Sequence, residues 1–346
     1  MVPPVEAFPA KARTGAAGRL FFHPHDDRMD AMTTFTAKGI VAAPVLPMLP
    51  DFSIDWESLR SYLAWIARQR PTAIAMNMDA SEGPALTREE MLEIVRVSRQ
   101  VIGEACPLVS GLIVGSTAEA VAFGKALKAA GAQGLAIFPP FPTFLGNPVP
   151  TRMIYEYHKA IADGVDLPLI AFQFPKAWGP DFPPETLREL VKIPQLIGLK
   201  EASFDTTKTV ETIDTARALP RKIGILTGSD TFILEAMIFG CDGALIGFAG
   251  TATAELIQMH QAVVARDFPT AFAIWDRLGP LARYAWRPPI RDYRPRMKEV
   301  LVLQGLIRHA AVRPPQLPVD EAERAELRRL AEQARLIPRG GQRAAA

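Results

Sequence analysis

The sequence predicts an α/β protein, a (β/α)8 barrel with helices appended after it, and three observations predict this. Short, continuously apolar runs recur eight times from Gly39 onward, each the length of a strand. Amphipathic stretches that open on helix-start signals separate them. Beyond about residue 266 the alternation stops and only helical patterns follow. A doubly wound open sheet is the alternative arrangement of the same units.

The runs cover 40–45, 73–76, 108–110, 135–138, 169–172, 196–200, 223–226 and 244–246. Unbroken apolarity, in place of strict alternation, marks strands covered on both faces, as in a parallel sheet. Between them, Thr87-Arg88-Glu89-Glu90 and Ser116-Thr117-Ala118-Glu119 read as capping boxes, in which hydroxyl and carboxylate satisfy opposing backbone amides. Met91, Ile94, Val95 and Ile102 then repeat on one helical face. Gly131 and Gly134 bracket a helix end and the next strand start. Residues 272–284 and 297–307 read as helices, and 319–336 as a charged helix opening on Asp320-Glu321. The expected organisation is a barrel over 32–265, a helical layer over 266–336 and a mobile Arg/Gly/Ala-rich tail over 337–346. Residues 1–31, rich in Ala, Pro, Arg and Gly, are expected to be a poorly ordered extension, with Met32 as the translation start.

Composition excludes several function classes. A 49% hydrophobic fraction fills a large core, and 39 basic against 37 acidic residues leave a net charge of +2. That balance gives no footprint for nucleic acid or a lipid surface. No apolar run approaches the roughly 20 residues that span a bilayer. The first thirty residues lack the order of a secretory signal. Cys106 and Cys241 match no metal or redox spacing and fit reduced core thiols, so a cytoplasmic location is expected. His23 and His25 stand close, but Pro24 breaks the pattern and no further ligand is near; no metal and no cofactor are expected.

Lys200 stands out. It closes the run Leu196-Ile197-Gly198-Leu199-Lys200, so an amine ends a strand that is otherwise buried. A charge there is costly unless it is paired or sheds its proton. A neutral amine attacks ketones and aldehydes to form a Schiff base. The plainer readings are a lysine that snorkels outward or one that pairs with Glu201. Barrel enzymes carry their catalytic groups at the carboxyl ends of strands, and Lys200 ends the sixth.

Gly198-Leu199-Lys200-Glu201-Ala202-Ser203 closely resembles the Schiff-base segment of the dihydrodipicolinate synthase / N-acetylneuraminate lyase family of class I aldolases. Ser81-Glu82-Gly83-Pro84-Ala85-Leu86, Gly228-Ser229-Asp230 and Gly240-Cys241-Asp242-Gly243-Ala244-Leu245-Ile246-Gly247 fall in the family's order, after the second and seventh strands and at the eighth. The resemblance covers about residues 37 to 336. It implies a (β/α)8 TIM barrel with C-terminal helices, an imine between Lys200 and a 2-keto acid, usually pyruvate, and a homotetramer. It also implies that Ala80, Ser81, Phe172 and Gln173 line the substrate site, together with Gly228, Leu245 and Ile246.

The departures matter equally. The family's two threonines, which bind the keto acid's carboxylate, correspond to Asp79 and Ala80. Backbone amides there could still hold a carboxylate. The family's proton-shuttling tyrosine corresponds to Phe172, which has no hydroxyl. The arginine that grips the second substrate in the lysine-pathway synthase corresponds to Ala177, beside Lys176, and the fourth-strand segment Phe138-Pro139-Pro140-Phe141 lacks the synthase tyrosines. Asp79 is then the nearest titratable candidate for proton transfer, its pKa expected to rise in an apolar mouth; a turn or cap residue is its other reading.

The leading expectation is a lyase that makes or breaks a carbon–carbon bond, or dehydrates a deoxy-keto acid, through the Lys200 imine, with a 2-keto acid and an aldehyde as its small-molecule partners and without serving lysine biosynthesis. Phe138, Phe141, Phe172, Phe174 and Trp178 near strand ends would make the pocket unusually apolar. The alternative is a barrel that has lost turnover and binds a keto acid as a sensor or partner subunit. A metal-dependent lyase is disfavoured, since no His/Asp/Glu set gathers at the strand ends.

Overall fold

The computed structural model describes residues 35–146 and 148–338; the extension over 1–31, the His23 and His25 pair and the tail beyond 338 lie outside the described residues. Among the described residues, eight parallel strands close into one barrel in chain order. They are β1 (Gly39–Ala42), β2 (Ala73–Met76), β3 (Leu108–Leu112), β4 (Gly134–Ile137), β5 (Leu169–Gln173), β6 (Leu196–Glu201), β7 (Gly224–Thr227) and β8 (Gly243–Ile246). Pairing of β1 with β8, Gly39 beside Gly243 and Ala42 beside Ile246, seals the ring. That pair excludes the open sheet, and the fold is a TIM barrel.

A helix follows each strand: α1 (Trp56–Arg68), α2 (Arg88–Ile102), α3 (Thr117–Ala130), α4 (Thr151–Val165), α5 (Pro184–Leu190), α6 (Thr206–Arg217), α7 (Ile233–Phe239) and α8 (Thr253–Val264). After them come α9 (Phe268–Ala285), which packs on α8, then α10 (Tyr293–Leu303) and α11 (Glu321–Gln333), which pack on each other. None of the described helices is long and apolar enough to cross a membrane.

Local chemistry sets the element ends. β1 stops at Ala42, short of the expected 45, because Pro44 has no N–H to give the ladder. The Thr87 capping box is complete: Thr87 Oγ1 accepts from Glu90 N–H at 3.2 Å and the Glu90 carboxylate accepts from Thr87 N–H at 2.9 Å. The Ser116 box is only half formed. Ser116 Oγ accepts from Glu119 N–H, but the Glu119 carboxylate turns to Gly115 N–H at 3.2 Å and to Arg88 at 2.6 Å. A guanidinium outcompetes an amide for a carboxylate. Helix α9 opens at Phe268, ahead of the expected 272, because the Asp267 side chain caps Thr270 N–H and a proline sits in the first turn. Helix α10 opens at Tyr293, ahead of the expected 297. Pro295 falls in its first turn, where no donor is needed.

Register decides which side chains face the barrel axis. Phe172 pairs with Lys200, Lys200 with Leu226, and Leu226 with Gly243. Side chains alternate along a strand, so these residues and Leu245 point inward while Gln173, Glu201 and Ile246 face the helices. The floor is closed by the chain entering β1: a Cβ on Gly224 would stand 1.8 Å from the Ala37 carbonyl oxygen, so only glycine fits there. Cys106 and Cys241 are buried and unbridged, and burial pushes both thiols up, Cys106 to about 11, which makes them inert core groups.

Candidate active site

Lys200 comes to the open end of the barrel through ordinary strand geometry. Its neighbours in register are Phe172 and Leu226, and its residue is only 9% exposed. The amine Nζ lies 4.0 Å from the centre of the Phe172 ring. Room for the side chain comes from Gly228: a Cβ there would stand 2.7 Å from Lys200 Cε and 3.0 Å from its Cγ. Burial pulls the Lys200 pKa down to about 8, partly opposed by the charges of Asp230 and Asp79. No carboxylate among the described residues comes within salt-bridge range of it. Lys200 therefore neither snorkels to the surface nor pairs with Glu201.

Glu201 faces the other way. Its carboxylate accepts from Thr209 Oγ1 at 2.5 Å, from Ser203 N–H at 2.9 Å and from Gln173 Nε2 at 3.3 Å, all outside the strand ring. Gln173 is committed to the same network, with Nε2 also reaching Thr212 and Oε1 accepting from Phe182 N–H. Gln173 is thus not brought to the site, because alternation puts it on the face opposite Phe172. Ile246 is excluded for the same reason, and its carbonyl serves the β1 side by accepting from Ala43 N–H. Leu245 and Gly228 do face inward.

The loop after β2 carries Asp79, Ala80 and Ser81. Ser81 is fully buried and spends its hydroxyl on Met78, accepting from Met78 N–H at 2.9 Å. Among the described residues, the backbone N–H groups of Ala80 and Ser81 meet no acceptor. Both Asp79 oxygens are taken: Tyr293 Oη donates to Oδ2 at 2.8 Å, and Arg294 pairs with Oδ1 while its Nε–H donates to the Asp79 carbonyl at 2.7 Å. Behind this loop, Lys298 and Glu82 form a buried ion pair.

Two side chains near Lys200 and Asp79 were not singled out by sequence reasoning. Asp230, after β7, is buried and accepts from Phe248 N–H at 2.8 Å; burial pushes its carboxyl up, and the Lys200 charge opposes that. The barrel rule could have found it, since it follows a strand at the catalytic end. Tyr293 reaches the mouth from α10. Its ring stacks on Trp286 at 4.8 Å, and burial, with the charges of Asp79 and Asp230, raises its hydroxyl well above the usual tyrosine range. No local pattern announces it, because its partner lies more than two hundred positions away.

An apolar wall leads outward from the amine. Phe172 stacks on Phe174 with ring centres 4.3 Å apart, Phe138 meets Phe172 edge-on at 4.7 Å, and Phe144 and Trp178 continue from Phe174 at 5.5 and 6.2 Å. Ala177 sits exposed on the turn beyond it. Among the described residues no group of three or more His, Cys, Asp or Glu side chains is placed to hold a metal ion.

This arrangement has recognisable relatives. Residues 36–334 match the Dihydrodipicolinate synthetase family. The 4-hydroxy-tetrahydrodipicolinate synthase of Alcanivorax borkumensis is 29% identical over 306 residues, covering 87% of this chain and 98% of that protein. The chloride-inhibited dihydrodipicolinate synthase of Acinetobacter baumannii, solved with pyruvate, superposes with a TM-score of 0.78 at 28% identity, over 87% of this chain and all of that one. The dihydrodipicolinate synthase of Thermotoga maritima superposes with a TM-score of 0.79 over 87% of this chain and all of that one; at 19% identity it speaks for the fold alone.

Proposed function

The chain belongs to the dihydrodipicolinate synthetase family, and from that premise we propose that it is a class I lyase acting on a 2-keto acid through an imine on Lys200. The observation that carries this reading is the enclosed Lys200 amine, depressed in pKa by burial and lacking a salt-bridge partner. Such an amine is neutral in a useful fraction at neutral pH and attacks the C2 carbonyl of the keto acid. Loss of water leaves an iminium whose charge faces the Phe172 ring and the Asp230 carboxylate. That iminium draws electrons from C3, which lets a bond at C3 form to an aldehyde carbon or break away from one. Dehydration of a deoxy-keto acid uses the same electron sink. The unpartnered N–H groups of Ala80 and Ser81 supply donors for the keto acid's carboxylate.

The acceptor is not aspartate semialdehyde. Ala177 offers no charge to grip a second carboxylate, and Phe172 offers no hydroxyl. The aromatic wall from Phe172 to Trp178 favours an apolar or bulky aldehyde and keeps water from the enamine. A homo-oligomer, tetrameric by family habit, and a cytoplasmic location complete the reading.

The test is incubation with pyruvate and borohydride, followed by peptide mapping. A reduced adduct on Lys200, absent from Lys200→Ala, is expected. An adduct elsewhere, or one undiminished in that variant, refutes the proposal. A panel of aldehydes then separates lyase from sensor: a protein that traps pyruvate yet turns over no aldehyde and no deoxy-keto acid is a binding barrel.

A further inference from the structure

Tyr293 and Asp79 bring a hydroxyl and a carboxylate together at the barrel mouth, although neither the fifth strand nor the second-strand loop carries a hydroxyl of its own that is free to act. The placement is over-determined. The Tyr293 ring lies flat on Trp286, with planes 17° apart. Trp286 in turn lies over the end of β8, where a Cβ on Gly247 would stand 2.9 Å from the indole and 3.6 Å from Ala80 Cβ. Trp286 also meets Phe248 edge-on at 6.3 Å, and Phe248 N–H donates to Asp230. The hydroxyl is thus fixed between the β2 loop and the end of β8, on the mouth that Lys200 enters from β6.

We propose that Tyr293 is the acid–base hydroxyl of this site and that Asp79 is the group that takes and returns its proton. The proposal rests on the Lys200 imine put forward above. Asp230 and Asp79, whose charges act on Lys200, are also the carboxylates whose charges act on Tyr293, as expected of four groups around one bound substrate. A hydroxyl held above the usual tyrosine range carries its proton at neutral pH, so it accepts a second only by passing the first on. The geometry provides that path: Tyr293 Oη donates to Asp79 Oδ2 at 2.8 Å, and Arg294 holds the other oxygen and fixes the carboxylate's orientation.

In the step, the C3–H bond of the iminium breaks and its proton goes to Tyr293 Oη, while the proton of Tyr293 passes to Asp79 Oδ2. The C–H electron pair becomes the C2=C3 bond, and the C2=N pair returns to the Lys200 nitrogen, giving a neutral enamine. When the enamine attacks a carbonyl, the new alkoxide takes a proton from Tyr293 and Asp79 restores it. Asp79 is then a positioning and relay group behind the residue that meets the substrate.

Exchange of the pyruvate methyl hydrogens in deuterated water, followed by proton NMR, tests this without knowledge of the acceptor. Wild type should exchange. Tyr293→Phe keeps the ring stacked on Trp286 and should trap pyruvate with borohydride to within twofold of wild type, while exchange falls on the order of 10²-fold or more. Asp79→Asn, which keeps an acceptor for the hydroxyl but cannot hold the proton as well, should show the same split and stands in if Tyr293→Phe fails to fold. Exchange per trapped imine that stays within a few-fold of wild type in either folded variant overturns the relay. A parallel loss of trapping and exchange also overturns it, because that is what a merely structural clamp would give. Failure of wild type to trap pyruvate at all sinks the imine reading first, so the two failures are distinguishable.

Discussion

Glu82 and Lys298, 216 positions apart in sequence, meet in an ion pair in which the lysine side chain is fully buried and the glutamate 5% exposed. Lys298 also donates to the Ala311 carbonyl at 2.6 Å, and Glu82 accepts from Arg313 N–H at 3.2 Å. The pair ties α10 and the segment after it to the loop that carries Asp79, Ala80 and Ser81. The appended layer is therefore part of the mouth's construction.

Lys298→Met should destabilise the protein by about 3–5 kcal/mol, because it strands a buried carboxylate without its partner. Urea unfolding measures the loss. Glu82→Gln in the same background should recover part of it, since removing the orphaned charge removes the penalty. A double variant no more stable than Lys298→Met would mean that the pair contributes through packing alone.

Gly228→Ala should abolish imine trapping with only modest loss of stability. The added methyl would stand 2.7 Å from both Lys200 Cε and Ala202 Cβ, so the lysine must leave its channel. Overpacking of this kind costs about 1–3 kcal/mol. Full trapping with pyruvate in a folded Gly228→Ala would show that the channel is not needed.

The pH dependence of trapping should respond to Asp230. Its negative charge raises the Lys200 pKa against the downward pull of burial, so Asp230→Asn should lower that pKa further and move the trapping midpoint to lower pH. At pH 7 the fraction of neutral amine should rise roughly three- to fourfold, the worth of a Coulomb term of about 1 kcal/mol. The gain should shrink at lower pH, where the Asp230 carboxyl, pushed up by burial, loses its charge in wild type as well. A midpoint that moves to higher pH contradicts the assignment.

His158 should give stability a slope on the acid side of neutrality. It is fully buried, its Nδ1 lies 2.8 Å from the Ile154 carbonyl, and burial pulls its pKa from 6.5 to about 4. Between those values the unfolded chain binds more protons than the folded one, so stability falls as pH drops from 6.5 towards 4. At pH 5 the loss should be about 2 kcal/mol. His158→Gln should lose that part of the slope, read as the difference in urea midpoints at pH 7 and pH 5.

Much of the barrel was legible because strands buried on both faces must be apolar, and turn and cap chemistry marks the gaps between them. Lys200 was legible because a charge at the end of such a run is a local contradiction. Gln173 and Ile246, expected at the site from the resemblance, fall on the other face, because neighbours of Phe172 and Leu245 in a strand point the opposite way. Glu201, adjacent to Lys200, points away from it for that reason too. The half-formed Ser116 box depended on Arg88, which nothing nearby in the chain reveals. Tyr293 needed the third dimension, because it arrives from beyond the last strand, whereas Asp230 was within reach of the rule that the turns after barrel strands carry the site.

The depressed basicity of Lys200 comes from burial, and that burial, begun by Phe172 on β5, is completed by β7, β8 and the turn at Gly228, which follow Lys200 in the chain. During synthesis the lysine therefore leaves the ribosome before the last of the walls that enclose it. Until the ring closes it has the ordinary basicity of a lysine in water and stays protonated, a poor match for the free aldehydes and ketones of its surroundings. Completion of the fold is thus what lowers the basicity of the amine proposed as the nucleophile.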